Sequence, residues 1–113
     1  MSEELISEVG VIEAKQLVDT GRAVLLDVRE TVEWEAGHAP EAIHMPLGSL
    51  DATQFEEGLP LVVICRAGGR SAEATRRLVA AGVAASNISG GMTAWEIAGQ
   101  PVIRDGGGDG LVI

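Results

Sequence analysis

The sequence predicts an α/β fold with a parallel sheet covered by helices on both sides. Two continuous apolar runs of strand length, Ala23 to Val28 (broken only by Asp27) and Leu61 to Ile64, lack the alternation of a half-solvated strand and read as strands buried on both faces. Other segments carry apolar residues at helical spacing and stop at glycine. Strands that alternate with helices are joined by crossovers, right-handed by rule, and so run parallel.

In chain order, Ile12 to Val18 has helical spacing and is closed by Thr20-Gly21, a glycine cap. The strand at 23 to 28 follows. Thr31 to Ala36 forms a short helix ending at Gly37, and Ala42 to Met45 a short strand closed by Pro46. Leu47 to Asp51 adds a helical turn, and Leu61 to Ile64 is the second buried strand. Ser71 to Ala81 is an amphipathic helix with Ala74, Leu78 and Ala81 on one face, ended by Gly82. Val83 to Ile88 holds a last strand, and Met92 to Ala98 makes a helix between Gly90-Gly91 and Gly99. The stretch Asp105 to Gly110 is too rich in glycine to order itself cheaply and reads as a flexible end. A phosphate-binding role for it lacks the strand, loop and helix that such a loop requires. No repeat or linker divides the chain, so its 113 residues make one domain, with a core at about 9–103 and a tail at 104–113.

Composition narrows the function. A net charge of −9 disfavours nucleic acid and anionic membrane surfaces, which demand cationic footprints. The one cysteine excludes an intramolecular disulfide, and with only His38 and His44 beside it there is no ligand set for structural zinc. Neither a metal nor a cofactor is expected. The acidic N-terminus lacks a basic-then-apolar signal segment and no apolar run reaches spanning length, so the expected location is cytoplasmic. Against this acidic background Arg66, Arg70, Arg76 and Arg77 place half of the eight basic residues within twelve positions, which points to a small anion as ligand.

The chemistry centres on Cys65-Arg66-Ala67-Gly68-Gly69-Arg70-Ser71. A buried strand delivers the thiol, two glycines let backbone N–H groups converge, and the next helix aims its positive N-terminus at the same place. Such surroundings lower a thiol pKa. The plainer alternative makes Cys65 a small buried hydrophobe. Arg70, at the junction of loop and helix, reads as an anion ligand. Arg66 reads equally as an anion ligand or a solvated charge, and Arg76 and Arg77 as a solvated helix face. Asp27 and Arg29 end the first strong strand, where α/β sheets place their sites. They either support the cysteine loop or form an internal pair that fixes a turn. His38 and His44 raise the thought of a Cys–His hydrolase, but their position in the Gly37 to Pro46 connection suits turn or packing roles, and Trp34 and Trp95 read as packing anchors.

Three segments together carry a family resemblance: Leu25-Leu26-Asp27-Val28-Arg29-Glu30 through Glu33-Trp34 to Gly37-His38-Ala39-Pro40, the loop Cys65 to Ser71, and Gly90-Gly91-Met92-Thr93-Ala94-Trp95 with Gly99-Gln100-Pro101-Val102. From about Val9 to Val102 the chain resembles the single-domain rhodaneses, of the thiosulfate sulfurtransferase family. The resemblance implies a five-stranded parallel sheet in a three-layer α/β/α fold, with the cysteine loop after the fourth strand. It also implies an activity: Cys65 takes the outer sulfur of a small anionic donor such as thiosulfate, holds it as a persulfide, and yields it to cyanide, a thiol or a protein acceptor. Arg66, Ala67, Gly68, Gly69, Arg70 and Ser71 would bind the donor and the persulfide. Ala39 stands where a larger aliphatic residue is usual in the family, and Glu41 where glycine is usual.

Rival readings are a cysteine-dependent phosphatase or arsenate reductase, a non-catalytic rhodanese-like binding module, and a persulfide relay to a partner protein. Loop length separates the first. Four residues lie between Cys65 and Arg70, as in the sulfurtransferases, whereas the related phosphatases place five there.

Overall fold

Successive residues of a strand point to opposite faces, and in the computed structural model, which describes residues 6–55 and 58–113, this sorts the apolar runs into two cores. Strand β1 (Glu8–Val9), β2 (Val24–Asp27), β3 (Ile43–His44), β4 (Leu61–Ile64) and β5 (Ala85–Ile88) form one parallel sheet in the order β1-β5-β4-β2-β3. Leu25, Val62, Ile64 and Ile88 join one cluster with Ala14 of helix α1 (Val11–Asp19) and Met92 and Trp95 of helix α4 (Gly91–Ile97). Leu26, Val28, Leu61, Val63 and Cys65 join the other, with Ala74 and Leu78 of helix α3 (Gly69–Ala80). The α/β class and the five-stranded parallel sheet are therefore present as expected.

Differences from the sequence reading are local. Strand β1, at the sheet edge, has only two residues, Glu8 opposite Asn87 and Val9 opposite Ile88. Two residues carry no periodicity, so only pairing with β5 reveals the strand. A 3₁₀ turn at Ala52–Phe55 was not anticipated either. Ala81 does not belong to the buried face of α3. It is the exposed C-cap, and the face is completed instead by Ser71 and Thr75. Both hydroxyls have partners, Thr75 donating to the Ser71 carbonyl at 2.7 Å and Ser71 to the cysteine, which is what lets polar residues occupy a buried stripe.

The glycine-rich end also departs from expectation, because it folds back instead of trailing free. His38 and Ile103 exchange backbone hydrogen bonds at 2.9 Å, Gly110 N–H donates to Val102, and Leu111 N–H donates to Ala36, each at 2.8 Å. Gly37 and Gly110 make this approach possible. A Cβ on Gly110 would lie 2.7 Å from Gly37 Cα, and one on Gly37 would lie 2.6 Å from Leu111 N. Backbone pairing and the packing of Val112 against the core offset the ordering cost that composition alone suggests.

Helix α2 (Thr31–Ala36) carries Trp34, whose ring stacks with both His38 and His44 at centroid separations of 3.6 and 4.7 Å. His38 Nδ1 bonds the Trp34 carbonyl at 2.9 Å and His44 Nε2 the Arg29 carbonyl at 2.8 Å. Trp95 is buried and donates to the Pro101 carbonyl at 2.9 Å. These rings pack and tie turns. Neither histidine bonds the cysteine. Ala39 is fully buried in the first core cluster, and Glu41 is exposed.

Candidate active site

The parallel register aligns the ends of β2 and β4, Asp27 opposite Ile64, so the chain leaves the sheet at Asp27-Val28-Arg29 beside the point where it leaves at Cys65. After Cys65 the backbone turns through Gly68, whose φ of +119° is in the left-handed region that glycine tolerates. Helix α3 starts at Gly69, two residues before the expected Ser71, so Arg70 and Ser71 lie in its first turn. The loop is correspondingly tight. Gly68 N–H donates to Cys65 Sγ at 3.1 Å and the Ser71 hydroxyl donates to it at 3.2 Å.

Cys65 is only 2% exposed. Burial pushes its pKa up, but hydrogen bonds from the Ser71 hydroxyl and from the backbone N–H groups of Ser71, Gly68 and Ala67 together outweigh burial and lower it. Each of those donors favours the thiolate over the thiol. The result is a desolvated sulfur held by a ring of N–H and O–H groups that favours its anionic form.

That ring requires the loop carbonyls to face elsewhere, and α4 takes them. Met92 N–H donates to the Cys65 carbonyl at 2.8 Å and Thr93 N–H to the Arg66 carbonyl at 3.0 Å. These are the unpaired N–H groups of a helix's first turn, used here to turn two peptide planes. Gly91 makes the contact possible. A Cβ there would lie 2.4 Å from the Cys65 carbonyl oxygen and 2.5 Å from that of Arg66, at a φ of +58°. Gly91→Ala is therefore expected to tilt the loop and slow sulfur loading of Cys65 by about 10²-fold, the usual effect of ångström-scale misplacement. Loading at the wild-type rate per folded molecule would contradict this. Asn87 adds a third anchor, donating to the Gly68 carbonyl at 3.3 Å and to Glu8 Oε2 at 3.1 Å. Sequence reading passed over both Asn87 and the role of Gly91, because their partners lie 19 and 26 positions away.

The other expected site residues divide. Ala67 is an exposed loop position and Gly69 the exposed first residue of α3. Arg66 is exposed, and its side chain makes no hydrogen bond among the described residues. Arg70 does not stand free for an anion: Nη1 donates to Glu33 Oε1 at 2.6 Å and Nη2 to Oε2 at 2.9 Å, a bidentate pair. Asp27 and Arg29 are wholly buried and bonded to each other, with Nη2 to Oδ2 at 2.7 Å. Arg29 Nη2 also donates to the Gly37 carbonyl at 2.8 Å. They fix a turn and the end of α2, and make no side-chain hydrogen bond to the cysteine loop. Among the described residues no group of three or more His, Cys, Asp or Glu side chains is placed to hold a metal ion.

Residues 11–98 match the rhodanese-like domain family. The uncharacterized protein slr1261 of Synechocystis is 34% identical over 93 residues, covering 80% of this chain and 52% of that protein. YrkF of Bacillus subtilis, provisionally named a sulfur carrier protein, is 35% identical over 94 residues, covering 80% of this chain and 51% of that protein. The chain thus spans about half the length of the curated relatives it matches. Among solved structures, a rhodanese-related protein of Thermoplasma volcanium superposes with a TM-score of 0.81 at 27% identity, over 88% of this chain and 99% of that one. A thiosulfate sulfurtransferase of Pseudomonas aeruginosa gives 0.78 at 25% identity, over 88% of this chain and 20% of that one. Cys65, its ring of donors and the α4 residues that orient the loop all lie within the matched span, and the chain belongs to the rhodanese-like domain family.

Proposed function

We propose that the protein is a sulfurtransferase that carries a sulfane sulfur as a persulfide on Cys65. The observation that carries this reading is the convergence of Gly68 N–H and the Ser71 hydroxyl on a buried sulfur whose pKa is lowered. With thiosulfate, the Cys65 thiolate attacks the outer sulfur. A new S–S bond forms, the bond to the sulfonate sulfur breaks, and sulfite leaves with the electron pair. Cyanide or a thiolate then attacks the terminal sulfur and returns the Cys65 thiolate. No proton moves in either step with cyanide, so no general base is required. A lowered pKa serves both halves, supplying thiolate at working pH and making Cys65 a good leaving group. The sulfur-carrier relative supports a relay in which a partner protein is the acceptor.

Intact-mass measurement tests the function. Incubation with thiosulfate is expected to add one sulfur atom to the chain, and cyanide to remove it as thiocyanate. A protein that stays unmodified under saturating donor, or that hydrolyses an aryl phosphate faster than it discharges sulfur, would overturn the reading. The lowered pKa has its own signature: iodoacetamide alkylation of Cys65 should rise with pH through a midpoint below that of a free thiol. A midpoint at or above the free-thiol value would mean that burial prevails over the hydrogen bonds.

A further inference from the structure

Arg70 is the cation nearest in sequence to the helix end of the cradle, and it is already bound. Glu33 holds both terminal nitrogens of the guanidinium, at 2.6 and 2.9 Å, and it is itself held. Its Oε1 accepts the Glu30 backbone N–H at 3.0 Å, the reciprocal arm of a capping box at the start of α2. The Glu33 side chain is 14% exposed and that of Arg70 35%, so the pair is partly desolvated. The Arg70 hydrogen bonds hold the Glu33 carboxyl down to about 2 although burial pushes it up, so it stays charged throughout the working pH range. Arg70 in turn lies close enough to Cys65 for the thiolate to help retain its proton, behind the larger contribution of the Glu33 hydrogen bonds.

A donor that leaves as sulfite presents three oxyanion oxygens, and stabilising them as the S–S bond breaks calls for a cation. A donor that leaves as a thiolate presents none. We propose that Glu33 sets donor specificity by occupying Arg70, so that the cradle takes its sulfur from a thiol persulfide in preference to thiosulfate. The inference rests on the sulfurtransferase reading of Cys65. Its step balances in the same way: the Cys65 thiolate attacks the outer sulfur of the donor persulfide, the donor S–S bond breaks, and the donor leaves as a thiolate. The protein's net charge of −9 acts in the same direction, opposing a dianionic donor.

The test compares thiosulfate with cysteine persulfide on wild-type protein, Glu33→Gln and Glu33→Asp, with cyanide as acceptor and far-UV circular dichroism as the check on folding. Wild type should show a higher kcat/KM with cysteine persulfide. Glu33→Gln removes the carboxylate charge from Arg70 and should raise kcat/KM for thiosulfate by about five- to tenfold, mainly through kcat, as expected when a half-buried cation becomes available to the leaving sulfite. The ratio of the two kcat/KM values should then move toward thiosulfate. Glu33→Asp, which keeps the charge, should stay nearer to wild type in that ratio. A wild-type preference for thiosulfate, or a ratio unmoved in Glu33→Gln, would overturn the inference while leaving the function standing. Loading from neither donor would overturn both.

Discussion

Cys65→Ser is expected to take sulfur loading below detection with every donor. A serine hydroxyl stays protonated at neutral pH, because its pKa lies far above that of a thiol and the cradle's N–H groups cannot bridge the difference. Oxygen also forms no counterpart of the persulfide, so neither half-reaction survives. Cys65 is the chain's one cysteine, so no second thiol can substitute. The replacement is nearly isosteric at a site 2% exposed, and the hydroxyl can still accept from Gly68 N–H and Ser71. The fold should therefore hold, with a melting temperature within a few degrees of wild type. Intact mass after thiosulfate, and thiocyanate released by cyanide, read the outcome. Sulfur retained by the folded variant would remove Cys65 from the mechanism.

The largest expected loss of stability comes from the buried ion pair. Asp27→Asn keeps the shape of the side chain but leaves the Arg29 guanidinium charged and enclosed, with both residues at 0% exposure. Breaking one partner of such a pair costs about 3–5 kcal/mol, because the remaining charge has lost its counter-ion in a place water cannot reach. Arg29 Nη1 already lacks a hydrogen-bond partner among the described residues, so the site has no spare acceptor to compensate. The Arg29 bond to the Gly37 carbonyl would weaken with it, loosening the C-terminal end of α2. Chemical denaturation should show a large fall in midpoint at an unchanged slope. The double replacement Asp27→Asn with Arg29→Met should cost less than the two single changes summed, since it leaves no unpaired charge. A loss under about 1 kcal/mol in Asp27→Asn would mean that the pair is not structural.

Strands β2 and β4 were legible because a strand buried on both faces is nearly all apolar, Asp27 being the one exception, and α1 through α4 because each run ends at glycine, with apolar residues at helical spacing in α1 and α3. The cysteine loop was legible for the same local reasons: a buried strand, two glycines and a helix are consecutive in the chain. The count of five strands came from family resemblance, since Glu8–Val9 has no pattern of its own. Arg70 shows where local reading fails. Its place beside the cradle was read correctly, but its partner Glu33 lies 37 positions earlier, and that pairing changes it from a free cation to an engaged one. The fold-back of residues 104 to 113 was invisible for a similar reason: glycine-rich composition reports the cost of ordering, while the gain comes from Ala36, Val102 and the His38 ring beside Asp105.

By itself, then, the sequence determined the α/β class, the place of the cysteine between strand and helix and the length of its loop, because each depends on neighbours within one strand, loop and helix. Tertiary structure decided the orientation of that loop, through α4 N–H groups on the Cys65 and Arg66 carbonyls and the Asn87 amide on Gly68. It also decided the electrostatics around the loop, through Glu33 on Arg70 and Asp27 on Arg29. Hydrogen bonds and ion pairs act over about 3 Å in space whatever the separation along the chain, so which charges remain available to a ligand is settled only when the helices and strands have packed.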